Sequence, residues 1–106
     1  MAKAEIQPGN CGHVATVVTK MDGKLCNLTI NSDCPAIQKL AAELKQVNPY
    51  NEISFRRAMP EILSKGAQYC THAACPVPVG IIKAVEIEAK LALPTDVTIK
   101  LSKSDE

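Results

Sequence analysis

The chain has 106 residues, 46% of them hydrophobic, with 12 Lys and Arg against 11 Asp and Glu for a net charge of +1. That length holds one domain with one core, residues 1–106, and the near-neutral balance gives no electrostatic reason to expect nucleic acid or a membrane surface. With no Trp, one Phe and two Tyr, the core must be built from Val, Ile, Leu and Ala, and an aromatic platform for stacking single-stranded bases is missing.

The opening Met1-Ala2-Lys3-Ala4-Glu5-Ile6-Gln7-Pro8-Gly9 lacks the apolar run of a secretory signal, and no stretch approaches the ~18 apolar residues of a membrane span. A cytoplasmic protein is the expectation. In that compartment five cysteines are more often ligands, redox thiols or packed hydrophobes than disulfides, and an odd number leaves one over in any paired scheme.

His13 to Met21 and Leu25 to Asn31 alternate apolar and polar residues, with Asp22-Gly23 between them. A β-hairpin follows, because the tight turn needs positive φ and that dipeptide supplies it. Taking Asp22-Gly23 as the loop sets Val17 against Leu28, Ala15 against Ile30, His13 against Ser32 and Cys11 against Cys34. The apolar face would then end in a pair of sulfurs at the open end of the hairpin. Cys26 lies roughly 26 Å along an extended strand from Cys34. It reads as a small buried hydrophobe beside Leu28, outside any ligand set.

Ser32-Asp33-Cys34-Pro35 leads into Ala36 to Val47, where Ile37, Leu40, Ala41, Leu44 and Val47 recur at helical spacing. Proline favours the first helical position, which places Cys34 at the N-cap, where the helix dipole favours a thiolate. Capping by Ser32 or Asp33, with Cys34 only packed, is the plainer alternative. Asn48 to Asn51 reads as a loop, Ile53 to Phe55 is ambiguous, and a helix should run from Met59 or Pro60 to about Tyr69, with Gly66 blurring its end. Arg56-Arg57 reads as a solvated surface pair.

Tyr69-Cys70-Thr71-His72-Ala73-Ala74-Cys75-Pro76-Val77-Pro78 is the most specific string, with two thiols, an imidazole and two prolines in ten residues. Cysteines five apart on one continuous helix would point about 140° from each other, so shared ligation needs a bend, which Pro76 favours. Zinc sites more often use closer pairs, and the same spacing occurs in plant-type ferredoxins, so spacing does not name the metal. His72 and His13 are candidate nitrogen ligands, or partners that donate a hydrogen bond to a ligating sulfur.

From Val79 to Leu93 the pattern is helical again, with Ile82, Val85, Ala89 and Ala92 inward. Pro94-Thr95-Asp96 breaks it, and Val97, Ile99 and Leu101 then alternate with polar residues ahead of the charged tail Ser102 to Glu106, predicting a third strand beside the hairpin. The expected fold is α+β: a β-hairpin plus a C-terminal third strand, with two long helices and one short helix on one face of the sheet.

Asn10-Cys11-Gly12-His13, Ser32-Asp33-Cys34-Pro35, Cys70-Thr71-His72-Ala73-Ala74-Cys75-Pro76-Val77-Pro78 and Leu91-Ala92-Leu93-Pro94-Thr95-Asp96-Val97 together resemble a small family of uncharacterised proteins from anaerobic bacteria and archaea. The resemblance runs over nearly the whole chain. It implies a metal or iron–sulfur protein, matches Cys11, Cys34, Cys70 and Cys75, and leaves Cys26 out.

The leading expectation is therefore an iron–sulfur cluster on those four thiolates, serving electron transfer or redox sensing with a redox partner protein. A structural zinc site on the same sulfurs is the alternative, and metal-free thiol–disulfide chemistry at Cys34 or Cys75 is a third reading. There is no P-loop, G-x-S-x-G or HExxH, so nothing points to hydrolytic or phosphoryl-transfer catalysis. Oligomeric state is not encoded in these features.

Overall fold

The computed structural model describes residues 1–104. Alternation organises four antiparallel strands: β1 (Ala2–Ile6), β2 (Ala15–Asp22), β3 (Leu25–Ser32) and the two-residue β4 (Gln46–Val47), in the spatial order β1-β2-β3-β4. Four helices accompany them: α1 (Pro35–Glu43), α2 (Pro49–Glu52), α3 (Glu61–Tyr69) and α4 (Val77–Glu88). The α+β class and the hairpin are as expected.

The hairpin register differs from the expected one by two residues. Gly23 and Lys24 form the loop, Asp22 faces Leu25, and Val17 faces Ile30. Gly23 takes φ of 65° at the first loop position, while Lys24 is not among the residues with positive φ. One glycine then satisfies the turn, whereas an Asp22-Gly23 loop would have forced positive φ on an aspartate as well. A shift of two leaves the faces unchanged. Ala15, Val17 and Thr19 still point inward with Cys26, Leu28 and Ile30.

The expected C-terminal third strand is absent. Val97, Ile99 and Leu101 are exposed and carry no strand pairing; the third position in the sheet belongs to β1 at the other end of the chain. Ala2, Ala4 and Ile6 alternate with Lys3 and Glu5 there, a pattern weakened by two alanines of low β-propensity. The last two residues of the charged tail lie outside the described residues.

The first long helix is shorter than its apolar period suggested. It stops at Glu43, with Leu44 as its C-cap, and Val47 is inward because Gln46–Val47 pairs with the edge of β3. The Lys45 carbonyl also accepts a 2.8 Å bond from the Leu28 N–H, which draws the chain off the helical path. Asn48 to Asn51 is not a plain loop. Asn48 caps the one-turn α2 by accepting from the Tyr50 N–H.

All inward side chains of the sheet meet helices on one face. α4 lies over β1 and β2, α1 over β3, and α3 packs against both α1 and α4. Ile37, Leu40, Ile62, Val77, Ile81 and Val85 fill the layer between them. Gly66 marks where α3 meets α4, since a Cβ there would stand 2.7 Å from the Pro78 ring. The residue that blurred the end of α3 in the sequence is thus one that lets α3 approach α4 closely. Thr19, fully buried, donates its hydroxyl to the Ala84 carbonyl at 3.0 Å and so ties sheet to helix without an unmet polar group.

Candidate functional site

The inner layer brings three helix ends to one place. Cys34 is the N-cap of α1, its side chain free of any capping bond and Pro35 following it. Ser32 does not cap the helix; its hydroxyl accepts from the Cys34 N–H at 3.2 Å and so fixes the approach of the strand. Cys70 is the C-cap of α3, in extended conformation, its N–H bonded to the Gly66 carbonyl. A turn closed by the Cys75 N–H on the His72 carbonyl at 3.2 Å then reverses the chain ahead of Pro76, the N-cap of α4. This is the bend that joint ligation by Cys70 and Cys75 requires.

The thiols of Cys34, Cys70 and Cys75 are partly buried against the core and act on one another. Cys70 is pushed up from 9.0 to about 11, first by burial, then by the charge and hydrogen bonding of Cys75, and then by the charge of Cys34. Three sulfurs from positions 34, 70 and 75 are therefore electrostatic neighbours, and burial holds Cys70 in its neutral form.

Cys11 stands apart. It is exposed, in a turn closed by the Gly12 N–H on the Gly9 carbonyl at 3.0 Å. The β2–β3 ladder stops at Ala15–Ser32, and continuing its register would set Cys34 across from His13 rather than Cys11. The expected Cys11–Cys34 cross-strand pair is thereby corrected. The Nδ1 of His13 lies 2.9 Å from Asp33 Oδ1, which engages one ring nitrogen and leaves Nε2 without a protein partner among the described residues. That contact does tether the loop carrying Cys11 to the residue just before Cys34.

His72 is exposed and lines, with Thr71, Cys70 and Cys75, an open groove of about 440 Å³ between α3 and α4. No carboxylate lines this groove. Among the described residues, no three His, Cys, Asp or Glu side chains already stand in metal-holding geometry. Cys26 is fully buried, with its thiol pushed up chiefly by burial, and belongs to the core.

One carboxylate escaped sequence reasoning. Glu52, 2% exposed, accepts from the Ile62 N–H at 2.8 Å and the Glu61 N–H at 3.2 Å, capping α3 where Pro60 offers no side-chain acceptor. Burial nonetheless raises its pKa, outweighing those two bonds. Its only signal was an acidic residue ahead of a helix start, too far along the chain for a capping box.

A match to a family of unknown function, DUF6951, covers residues 2–101, and the chain belongs to that family. No curated protein and no solved structure matches it.

Proposed function

We propose that this family member binds a thiophilic metal centre through Cys34, Cys70 and Cys75, with Cys11 as the fourth thiolate, and that the centre is an iron–sulfur cluster used for electron transfer or redox sensing with a protein partner. The observation that carries the reading is the meeting of three thiols separated by 41 residues or fewer in sequence, each delivered by a different helix end. The donor chemistry fits: thiolates without carboxylates select iron–sulfur, zinc or copper(I) over calcium or magnesium. Cys11 sits on an exposed turn tethered through His13 to Asp33, so the loop that must close is already held beside Cys34.

When bound, a cluster would supply a one-electron redox couple. The chain's own contribution is threefold. It gives up the thiol protons on ligation, it places the N-termini of α1 and α4 beside Cys34 and Cys75 to offset negative charge, and it packs Cys34, Cys70 and Cys75 partly against the core. Structural zinc is the second reading, favoured by His72 in the same groove as Cys70 and Cys75, because three thiolates and one imidazole make a closed zinc set. In the third reading, metal-free thiol exchange, the attacking thiol would be Cys34 or Cys75, since Cys70, pushed up to about 11, is a poor nucleophile at neutral pH.

The test is anaerobic purification followed by iron, acid-labile sulfide and zinc analysis of the wild type and of Cys11→Ala, Cys34→Ala, Cys70→Ala, Cys75→Ala and Cys26→Ala. A cluster protein yields iron with sulfide that is lost in the first four and kept in the last. Zinc without sulfide selects the second reading. Metal content unchanged by Cys34→Ala, Cys70→Ala and Cys75→Ala would overturn both.

A further inference from the structure

The alternation of Val97, Ile99 and Leu101 finds no strand partner among the described residues. These side chains are 62%, 75% and 89% exposed, and the last backbone hydrogen bond before them is the one closing α4, from the Leu91 N–H to the Glu86 carbonyl. Lys90, at φ of 63°, and then Pro94 turn the chain away from the helix. The molecule accordingly extends 52 Å in one direction against 28 and 26 Å in the others. A strand pattern projecting without a sheet leaves its apolar row uncovered by the rest of the chain.

β1 is an edge strand of the sheet, paired on one side only. Asp22 and Leu25 close a two-residue loop, so the even-numbered residues of β2 bond to β3 and the odd-numbered ones to β1. Ala2, Ala4 and Ile6 therefore bond inward to Thr19, Val17 and Ala15, and the N–H and C=O groups of Lys3 and Glu5 point away from the sheet. β1 is five residues long, the same length as Val97–Leu101.

We propose that Val97–Leu101 of one copy adds in parallel to β1 of a second copy, and that the exchange is reciprocal. With Ala2 beside Val97, the apolar row Ala2, Ala4, Ile6 continues into Val97, Ile99 and Leu101 on the face that α4 covers. Thr98 and Lys100 fall on the solvent face, with Lys100 beside Glu5, an opposite charge. Lys3 and Glu5 each gain two backbone partners from Val97, Ile99 and Leu101. A projecting strand and an open edge of matching length on one molecule are satisfied together by a two-fold exchange, the low-cost route to a closed dimer.

The full-length chain, kept in reductant to exclude disulfides, is examined by size-exclusion chromatography with light scattering. Twice the 11.4 kDa chain mass is expected. Ile99→Pro lies outside the packed body, and should leave the circular dichroism of the helices unchanged while returning the protein to monomer. Lys100→Glu should weaken the dimer, and adding Glu5→Lys should restore it. In a mixture of labelled and unlabelled chains, contacts between residues 97–101 and 2–6 should cross between copies. A monomer at the highest soluble concentration, a dimer indifferent to Ile99→Pro, or contacts confined to one copy would each overturn the proposal.

Discussion

At the scale of single residues, position matters more than residue type. The five cysteines are chemically equal in the unfolded chain, and the fold sorts them: Cys26 into the core, Cys11 onto an exposed turn, and three into mutual range. For Cys70 this sorting has a measurable sign. The unfolded thiol releases its proton near pH 9.0 and the native one near pH 11, so native Cys70 keeps a proton that the unfolded chain has already lost. Its contribution to stability is complete below pH 9 and disappears as pH rises through 11. The urea midpoint of the reduced, metal-free protein should fall across that window, and the fall should be shallower in Cys70→Ala, where the remaining decline belongs to Cys26, whose thiol burial also pushes up. Equal slopes in the two proteins would show that Cys70 is not held neutral by its neighbours.

At the scale of elements, α3 depends on a side chain from outside itself. Pro60 cannot cap it, and Glu52 of α2 does so from across the loop that joins them. Glu52→Ala removes the acceptor from the buried Ile62 N–H and the part-buried Glu61 N–H and should destabilise the protein by about 2 kcal/mol in urea unfolding, with Glu52→Gln intermediate because its amide oxygen can still accept. A loss no larger than that of a typical surface substitution would show that water replaces the carboxylate. This interaction was illegible in the sequence because the two partners are ten residues apart, beyond any local capping pattern. The hairpin, α1, α3 and α4 were legible because each carries a long apolar period of 2 or 3.6 residues. Where period misled, it reported a face without naming a partner. Val47 continues the helical stripe of α1 yet faces inward from a strand, and Val97 to Leu101 alternate like a strand yet pair with nothing in their own chain. β1 was missed for the converse reason, since two of its three inward residues are alanines.

At the scale of the whole molecule, the candidate site is where the ends of three helices meet. The quartet Cys11, Cys34, Cys70 and Cys75 could be picked out by its flanking prolines and turns, but the convergence of three of them depends on α3 packing between α1 and α4, and no local pattern encodes that. If the proposed centre is bound, the same topology couples its binding to folding. A centre held by Cys34, Cys70 and Cys75 staples the N-terminus of α1 to the α3–α4 corner, closing loops of 36 and 5 residues that the unfolded chain must otherwise leave open. Binding to the native state alone adds about 2.7 kcal/mol at a metal concentration 100 times Kd. Metal-loaded wild type should therefore melt several degrees above the chelated protein, whereas Cys75→Ala should melt at the same temperature with or without chelator. Because the helix ends are joined at the site, chelation should loosen them first: amide exchange in residues 70–76 should accelerate while β2 and β3, bonded on both sides along the sheet, stay protected. Uniform acceleration across sheet and helices would mean that the metal stabilises only global folding and that the corner has no independent opening, leaving no local motion through which a redox change at the site could be felt.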